Sequence, residues 1–424
     1  MAGIPLQKRP HDLFVSYAHA NQGLVDPIVH WLKDKAGLNL WYDVKSGDAS
    51  KRTTTLLTEG ILSSRGLIVF LSSAWVDSSW TRDEFEVALT ERRENDDFLV
   101  LTVRLDDCEL QPWFKIANVL DFSEFQASSC AALLRSLAPN PPTRLNAEQD
   151  VYLSAPWSRP TDATKKAVRS IGGMGWRLVG DSPDHPDFVD EEERIASIIG
   201  TSRGMITVLP YLPSKPPRFT SEFILREATI ALRCKQLYLL LAEPEVQIPE
   251  ELVTGSFGQR ATLLTSETKD SVQQVLSEFD EEISHKPFTD TRTFSFLATS
   301  FFDHREETED LVTVIEHASN INCMQGQGFS SQNVQKDIID RIRRAAFVLA
   351  DVTDDHRNTL IEAGVAMGAG TPLHLMCKVP ENGSRHRRFM FEAIEMNWYE
   401  TPIERLGIAY KIGSKYRRRL YCPR

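Results

Sequence analysis

No two cysteines in this chain are spaced as a metal hook. The six, Cys108, Cys130, Cys234, Cys323, Cys377 and Cys422, are scattered and form no CxxC pair. Neither a zinc site nor a disulfide framework is expected, and buried reduced thiols are the default. Long apolar runs are missing too. None approaches the roughly 18 residues needed to span a bilayer, and the opening MAGIPLQKRPHDLF has no apolar core of the kind a secretory leader carries. The expectation is a cytoplasmic protein with no membrane partner. Excess positive charge is also absent: the net charge is −11. Gripping nucleic-acid backbones needs dense Lys and Arg to displace counterions, so no direct DNA binding is expected. What remains, 424 residues of which 42% are hydrophobic and 25% charged, is ordinary globular material long enough for several cored domains.

One design occurs three times: an apolar strand, a short loop, then a helix carrying one glutamate. The strands are SRGLIVFLS from Ser64, SRGMITVLPY from Ser202 and RAAFVLADVT from Arg344, followed by Glu84, Glu227 and Glu362. Recurrence at about one domain length suggests three related modules in series. Proline-rich breaks at 138–148 (APNPPTRLNAE) and 284–292 (SHKPFTDTR) read as linkers, giving segments 10–138, 148–285 and 290–424. Each opens with a strand, DLFVSYAH, DVYLSAPW or TFSFLATSFF, and amphipathic helices alternate with the strands. This alternation predicts the α/β class, with mainly parallel sheets covered by helices on both faces. In such sheets ligands sit beyond the carboxyl ends of strands.

Glu84 carries two local readings. Thr81-x-x-Glu84 fits a capping box, in which the glutamate bonds back to the cap amide. Trp80-x-x-x-Glu84 instead puts an indole and a carboxylate one turn apart on a helix, where they share a face. Trp41 and Trp75 are expected as core or rim aromatics. His19 is expected as a solvated loop residue, because no His, Cys or acidic cluster stands near it at metal spacing, and no metal site is expected.

The order of pieces in the first segment is specific: FVSYAHAN, a helix with Val25, Ile28, Val29 and Leu32, then GLNLWYD, KSGDASKR, TTTLLTEGILSS, GLIVFLS, LSSAWVDSSWTRDE and PWFKIANVLDFSEF. Along its length it resembles a TIR (Toll/interleukin-1 receptor) domain, which implies a flavodoxin-like fold. That family divides into interaction adaptors and enzymes that cleave NAD+ at the nicotinamide glycosidic bond. The resemblance makes Trp80 and Glu84 the Trp-x-x-x-Glu element of the enzymes, with Glu84 catalytic. NAD+ is then a substrate, and no cofactor is implied. Nicotinamide leaves as a neutral molecule and the ribosyl transition state is cationic. Glu84 stabilises it either as nucleophile or by holding the ribose hydroxyls, and both roles stand. Tyr17, Asp43 and Ser72 follow strands and are expected to line the substrate mouth with Trp80.

In the third segment Asp351 ends a strand and Asn358-x-x-x-Glu362-x-Gly364 starts a helix of small residues, which lets a ligand approach the helix N-terminus. This resembles nucleoside 2-deoxyribosyltransferases, whose glutamate attacks a deoxyribose carbon. The opening strand departs from that family, with FSFLATSFF in place of Tyr-Leu-Ala-Gly-Pro. The middle segment keeps Tyr152, Pro156 and Glu227 but has VLPYLPSKPP where the aspartate belongs. Two incomplete sets suggest Rossmann-like modules that sense a ligand rather than turn it over. The candidate sensor residues are Tyr152, Glu227, Asp351, Asn358, Glu362 and, from the basic run SRHRR, Arg388 as a phosphate contact. That Glu227 and Glu362 are ordinary helix glutamates, and the basic runs solvated surface, stays open beside this.

The whole arrangement resembles bacterial antiviral effectors of the CBASS kind, in which a sensor such as a SAVED domain, two fused Rossmann-like halves, controls NAD+ destruction. The resemblance implies a cyclic nucleotide second messenger as ligand and cleavage of NAD+ to nicotinamide and ADP-ribose or a cyclised form. It also implies a homo-oligomer or filament, built by TIR–TIR packing beside the loop Val44 to Lys51. The alternatives are a non-enzymatic TIR signalling adaptor, or a nucleoside deoxyribosyltransferase or N-glycosidase using Glu362.

Overall fold

The computed structural model describes residues 9–42, 54–76, 79–95, 98–109, 114, 119–137, 150–156, 160–180, 192–265, 269–285, 294–300, 305–326, 334–353, 356–381, 383, 385, 391–417 and 419–420. Both proline-rich breaks lie almost wholly outside them.

The first sheet is assembled from β1 (Leu13–Tyr17), α1 (Gln22–Asp34), β2 (Leu40–Trp41), α2 (Thr54–Leu62), β3 (Gly66–Leu71), α3 (Ser73–Val76), α4 (Ser79–Glu94), β4 (Leu99–Arg104), β5 (Val119–Asp121) and α5 (Ala127–Ser136). Its strand order is β2-β1-β3-β4-β5 and every pairing is parallel. All residues of LFVSY and GLIVFL are buried, as strands covered on both faces must be. In α1 the apolar positions Val25, Ile28, Val29 and Leu32 recur at helical spacing and are all buried. Gly66 lets β3 and β4 meet closely, since a Cβ there would lie 2.6 Å from the Leu99 carbonyl oxygen.

The second sheet contains β6 (Asp150–Ser154), α6 (Asp162–Gly172), β7 (Arg177–Gly180), α7 (Glu192–Thr201), β8 (Gly204–Leu209), α8 (Glu222–Arg233), β9 (Tyr238–Ala242), α9 (Glu250–Gly255), β10 (Ala261–Leu263) and α10 (Lys269–His285). The third contains β11 (Phe294–Ala298), α11 (Arg305–Ser319), β12 (Asn322–Gln325), α12 (Val334–Arg344), β13 (Val348–Asp351), α13 (Arg357–Ala369), β14 (Leu373–Lys378), β15 (Met396–Tyr399) and α14 (Pro402–Lys415). Their orders are β10-β9-β8-β6-β7 and β12-β11-β13-β14-β15. The third, counted from its own first strand, repeats the order 2-1-3-4-5 of the first, and the second reads the same way from its opposite edge, which is the flavodoxin-like arrangement. The repeat seen in sequence is a repeat of topology.

The segments are not beads on a string. After α14 the chain leaves the third sheet, and β16 (Arg419–Leu420) pairs antiparallel with β7 at the edge of the second. The Ser197 hydroxyl in α7 donates to the Ala346 carbonyl at 3.3 Å. The first sheet's helices α1 and α5 pack on α11 and α14 of the third, and one apolar core runs from Leu32, Leu133 and Leu134 into Leu311, Ile315, Leu406 and Tyr410. At its rim the Trp31 indole N–H donates to the Ile403 carbonyl at 2.8 Å, and the pairs Lys35–Glu404 and Arg135–Asp310 each lie at 3.3 Å. Among the described residues no helix is long and apolar enough to cross a membrane.

Candidate functional site

The residues just past β1 and β3 build the carboxyl edge of the first sheet. Tyr17 ends β1, its ring 5.3 Å from that of Tyr42, whose hydroxyl donates to the Asp26 carboxylate. Burial, then the hydrogen bond to Asp26, push the Tyr42 phenol well above its ordinary range, so it stays a donor. Ser72 comes directly after β3. Its hydroxyl donates to Asn21 Oδ1 at 2.6 Å and accepts from the Trp75 amide at 3.1 Å, the geometry of a helix cap. Ser72→Ala should therefore cost about 1 kcal/mol in a urea-unfolding series through loss of this cap. Sequence reasoning missed Asp26, Asn21 and Tyr42. Tyr42 stands in the WYD motif itself, where its place after a strand was the available signal.

Helix α4 begins at Ser79, after β3 and the short α3, and places positions 80 and 84 one turn apart. Thr81 is the third residue of that helix. Phe85 anchors this turn in the core against Trp75 and Phe114, with ring centroids 6.3 and 4.6 Å away. The far end is pinned by the buried pair Arg9–Glu91. Trp75 itself is 4% exposed, a core aromatic. His19 is exposed in a single 3-10 turn. The side chains of Trp80 and Glu84, and the whole of Asp43 and Val44 to Lys51, lie outside the described residues.

In the middle sheet the Tyr152 hydroxyl donates to Glu227 Oε1 at 2.7 Å, and the Ser154 hydroxyl donates to Oε2. Tyr152 and Ser154 point to the same face of β6 because they are two residues apart. A second carboxylate, Glu243, stands just past β9, 8% exposed. It accepts from the Thr161 and Thr164 hydroxyls and from the Tyr211 amide at 2.9 Å. Sequence reading passed over Glu243, although a lone glutamate ending YLLLA is a signal of its own.

The third sheet repeats this edge with a substitution. The amides of Arg203 and Ala346 donate to the carbonyls of Asp150 and Phe294 respectively, which aligns β6 with β11. Phe296 and Ala298 then stand where Tyr152 and Ser154 hold Glu227. Their counterpart Glu362 is 8% exposed, and no hydrogen bond or ion pair reaches it among the described residues. Burial pushes its carboxyl up to about 7. Among the described residues no partner reaches the hydroxyl of Thr359, one turn earlier and fully buried, or His356 Nδ1 one turn before that. Such groups cost stability unless something completes them. Asn358 is exposed, and Arg388 lies outside the described residues.

Asp351, ending β13, is instead fully engaged. It accepts from the Thr353 hydroxyl at 2.6 Å and the Tyr399 hydroxyl at 2.8 Å, and Arg405 Nε lies 2.7 Å from its Oδ2. Tyr399 and Arg405 were not picked out from the sequence. An arginine set among Leu406, Ile408, Ala409 and Ile412 on a core helix was the signal, because a buried charge requires a partner. Among the described residues no group of three or more His, Cys, Asp or Glu is placed to hold a metal ion.

Residues 13–137 match the family model for the TIR domain. This N-terminal part of the chain is a TIR domain, with the strand order described above. Part of the chain is also similar to the NAD(+) hydrolase TirS of Staphylococcus aureus (strain MSSA476), 33% identical over 92 residues that make up 22% of this chain and 32% of that protein. The chain thus spans about a third of that relative's length. A solved structure is also similar, the TIR domain of the Toll-related receptor TRR-2 from Hydra magnipapillata. It covers 30% of this chain and 98% of that one at 14% identity and a TM-score of 0.26.

Proposed function

We propose that this protein is an NAD+ glycohydrolase whose TIR domain is governed by a ligand held in the second and third modules. The observation that carries the enzymatic reading is the similarity of its TIR region to an NAD(+) hydrolase. It is supported by the helix Ser79–Glu94, which follows β3 and α3 in the chain and has positions 80 and 84 one turn apart. Glu84 is the acidic group that stabilises the ribosyl cation, and Trp80 shields it from water. Tyr17, Asp43 and Ser72 shape the mouth, with Ser72 acting through the loop it caps. The products are nicotinamide and ADP-ribose or its cyclised form.

The regulatory reading is supported by the buried Glu362 and Thr359, which have no hydrogen-bond partner among the described residues, at an edge where open α/β sheets take ligands. A cyclic nucleotide second messenger is the ligand class proposed, with Tyr152, Glu227, Asp351, Asn358, Glu362 and Arg388 around it. Binding favours a TIR–TIR assembly in which a neighbour packs beside Val44 to Lys51, and the biological setting proposed is cytoplasmic bacterial antiviral defence. The test is nicotinamide release by the purified full chain, alone and with a panel of cyclic di- and trinucleotides. Release that appears with one nucleotide supports the reading. Absence of release under every condition, with assembly still responding to a nucleotide, replaces it with the adaptor reading. A deoxyribosyltransferase using Glu362 is disfavoured by the burial that raises this carboxyl to about 7 and leaves much of it protonated at neutral pH, since a neutral acid is a poor nucleophile.

A further inference from the structure

Arg405 is 8% exposed and holds four groups at once. Its Nε lies 2.7 Å from Asp351 and its Nη1 3.9 Å from Glu307, its Nη2 donates to the Thr299 hydroxyl at 3.0 Å, and its guanidinium lies 5.9 Å from the centre of the Tyr399 ring. Asp351 ends β13 and Thr299 follows β11, so this one side chain ties α14 to the carboxyl edge of the third sheet. The residues beside it on α14 are tied to the TIR domain. The Ile403 carbonyl accepts from Trp31 at 2.8 Å and Glu404 pairs with Lys35 at 3.3 Å. At Gly407 the helices approach so closely that a Cβ would lie 2.8 Å from both Lys35 Cβ and Trp31 Nε1. A second thread runs in parallel: Lys35 Nζ donates to the Trp398 carbonyl at 3.4 Å, and Tyr399, the next residue, donates to Asp351. Both threads join Asp351 to Lys35. A small cleft at this junction, lined by Glu307, Arg405 and Ala127 of the TIR domain, lies where the helices meet.

We propose that Arg405 is the positioning residue through which occupancy of the third module's edge is passed along α14 to helix α1 of the TIR domain. This rests on the reading of the third module as ligand-binding. A polar ligand group that takes a contact from Asp351 weakens its hold on Arg405. A buried charge cannot be left uncompensated, so the guanidinium and the helix that carries it resettle. α1 is seated on that helix and follows it. Coupling of this kind is reciprocal, so a change on the TIR side is felt at β13.

Hydrogen exchange on the full chain tests this without any ligand, so its result decides the coupling whether or not a nucleotide activates NAD+ cleavage. Two changes are made at the pocket end: Asp351→Asn, and the milder Tyr399→Phe, which keeps the ring beside Arg405. Among the described residues neither side chain has a hydrogen bond or ion pair to the TIR domain, and Tyr399→Phe keeps the ring that belongs to the apolar core the two share. Both are expected to speed exchange of the α1 amides, residues 22–34, by about 5-fold or more. Trp31→Phe, which removes the bond to Ile403 but keeps an aromatic ring, is expected to speed exchange in β13. Glu227→Gln in the middle module should leave α1 at its original rate. A merely structural role for the cluster would confine faster exchange to the third module. Faster exchange in β13 and α14 with α1 unchanged in both pocket variants would overturn the proposal.

Discussion

Glu84→Gln is expected to lower nicotinamide release from NAD+ by about 1,000-fold, the scale on which a preorganised group facing developing charge acts. The amide keeps the size of the carboxylate and removes its charge, so whether Glu84 attacks the anomeric carbon or holds the ribose hydroxyls, the cation loses its counter-charge. Helix α4 is held by Phe85 in its second turn and by the Arg9–Glu91 pair nearer its C-terminus. The variant should therefore unfold at the same temperature as the wild type. Wild-type cleavage by a folded Glu84→Gln protein would remove Glu84 from the reaction altogether.

Glu362→Gln should stabilise the protein at alkaline pH. Burial moves the carboxyl from 4.5 to about 7. The folded chain therefore holds this proton over a range in which the unfolded chain has lost it, and the side chain's contribution to stability falls as pH rises from about 4.5 through about 7. At roughly 1.4 kcal/mol per pH unit the full penalty is about 3 kcal/mol. The amide pays none of it. Urea unfolding of wild type and Glu362→Gln should nearly coincide near pH 4.5 and diverge up to about pH 8, with the variant the more stable. Curves that stay parallel across that range would mean the carboxyl already has a partner, leaving no gap for a ligand to complete.

Where the sequence was legible, it was because one physical signal was strong and local. Continuous apolar runs such as GLIVFL could only be strands covered on both faces, and the three strand–loop–helix copies announced the three-fold topology. The N-terminal motifs, FVSY, WYD and LSSAW among them, placed the TIR domain. Contacts between segments were not legible. Nothing in the local pattern of α14 says that its Arg405 reaches Asp351 while Gly407 receives Trp31, because each partner is distant in the chain. The strand β16 was equally hidden: two residues carry no periodicity, and its partner β7 belongs to another module. The fates of the paired glutamates needed the sheet register as well. Only alignment of β6 with β11 reveals that Phe296 and Ala298 stand where Tyr152 and Ser154 do, which is why these two strand positions hold Glu227 and not Glu362.

The most direct test of ligand control over the TIR domain is a paired titration on the full chain with each of a panel of cyclic di- and trinucleotides, binding measured by calorimetry and nicotinamide release measured in the same samples. The expected result is that the two curves rise together and that release is nearly absent without nucleotide. Saturable binding with release unchanged, or full release with no nucleotide present, would contradict the account.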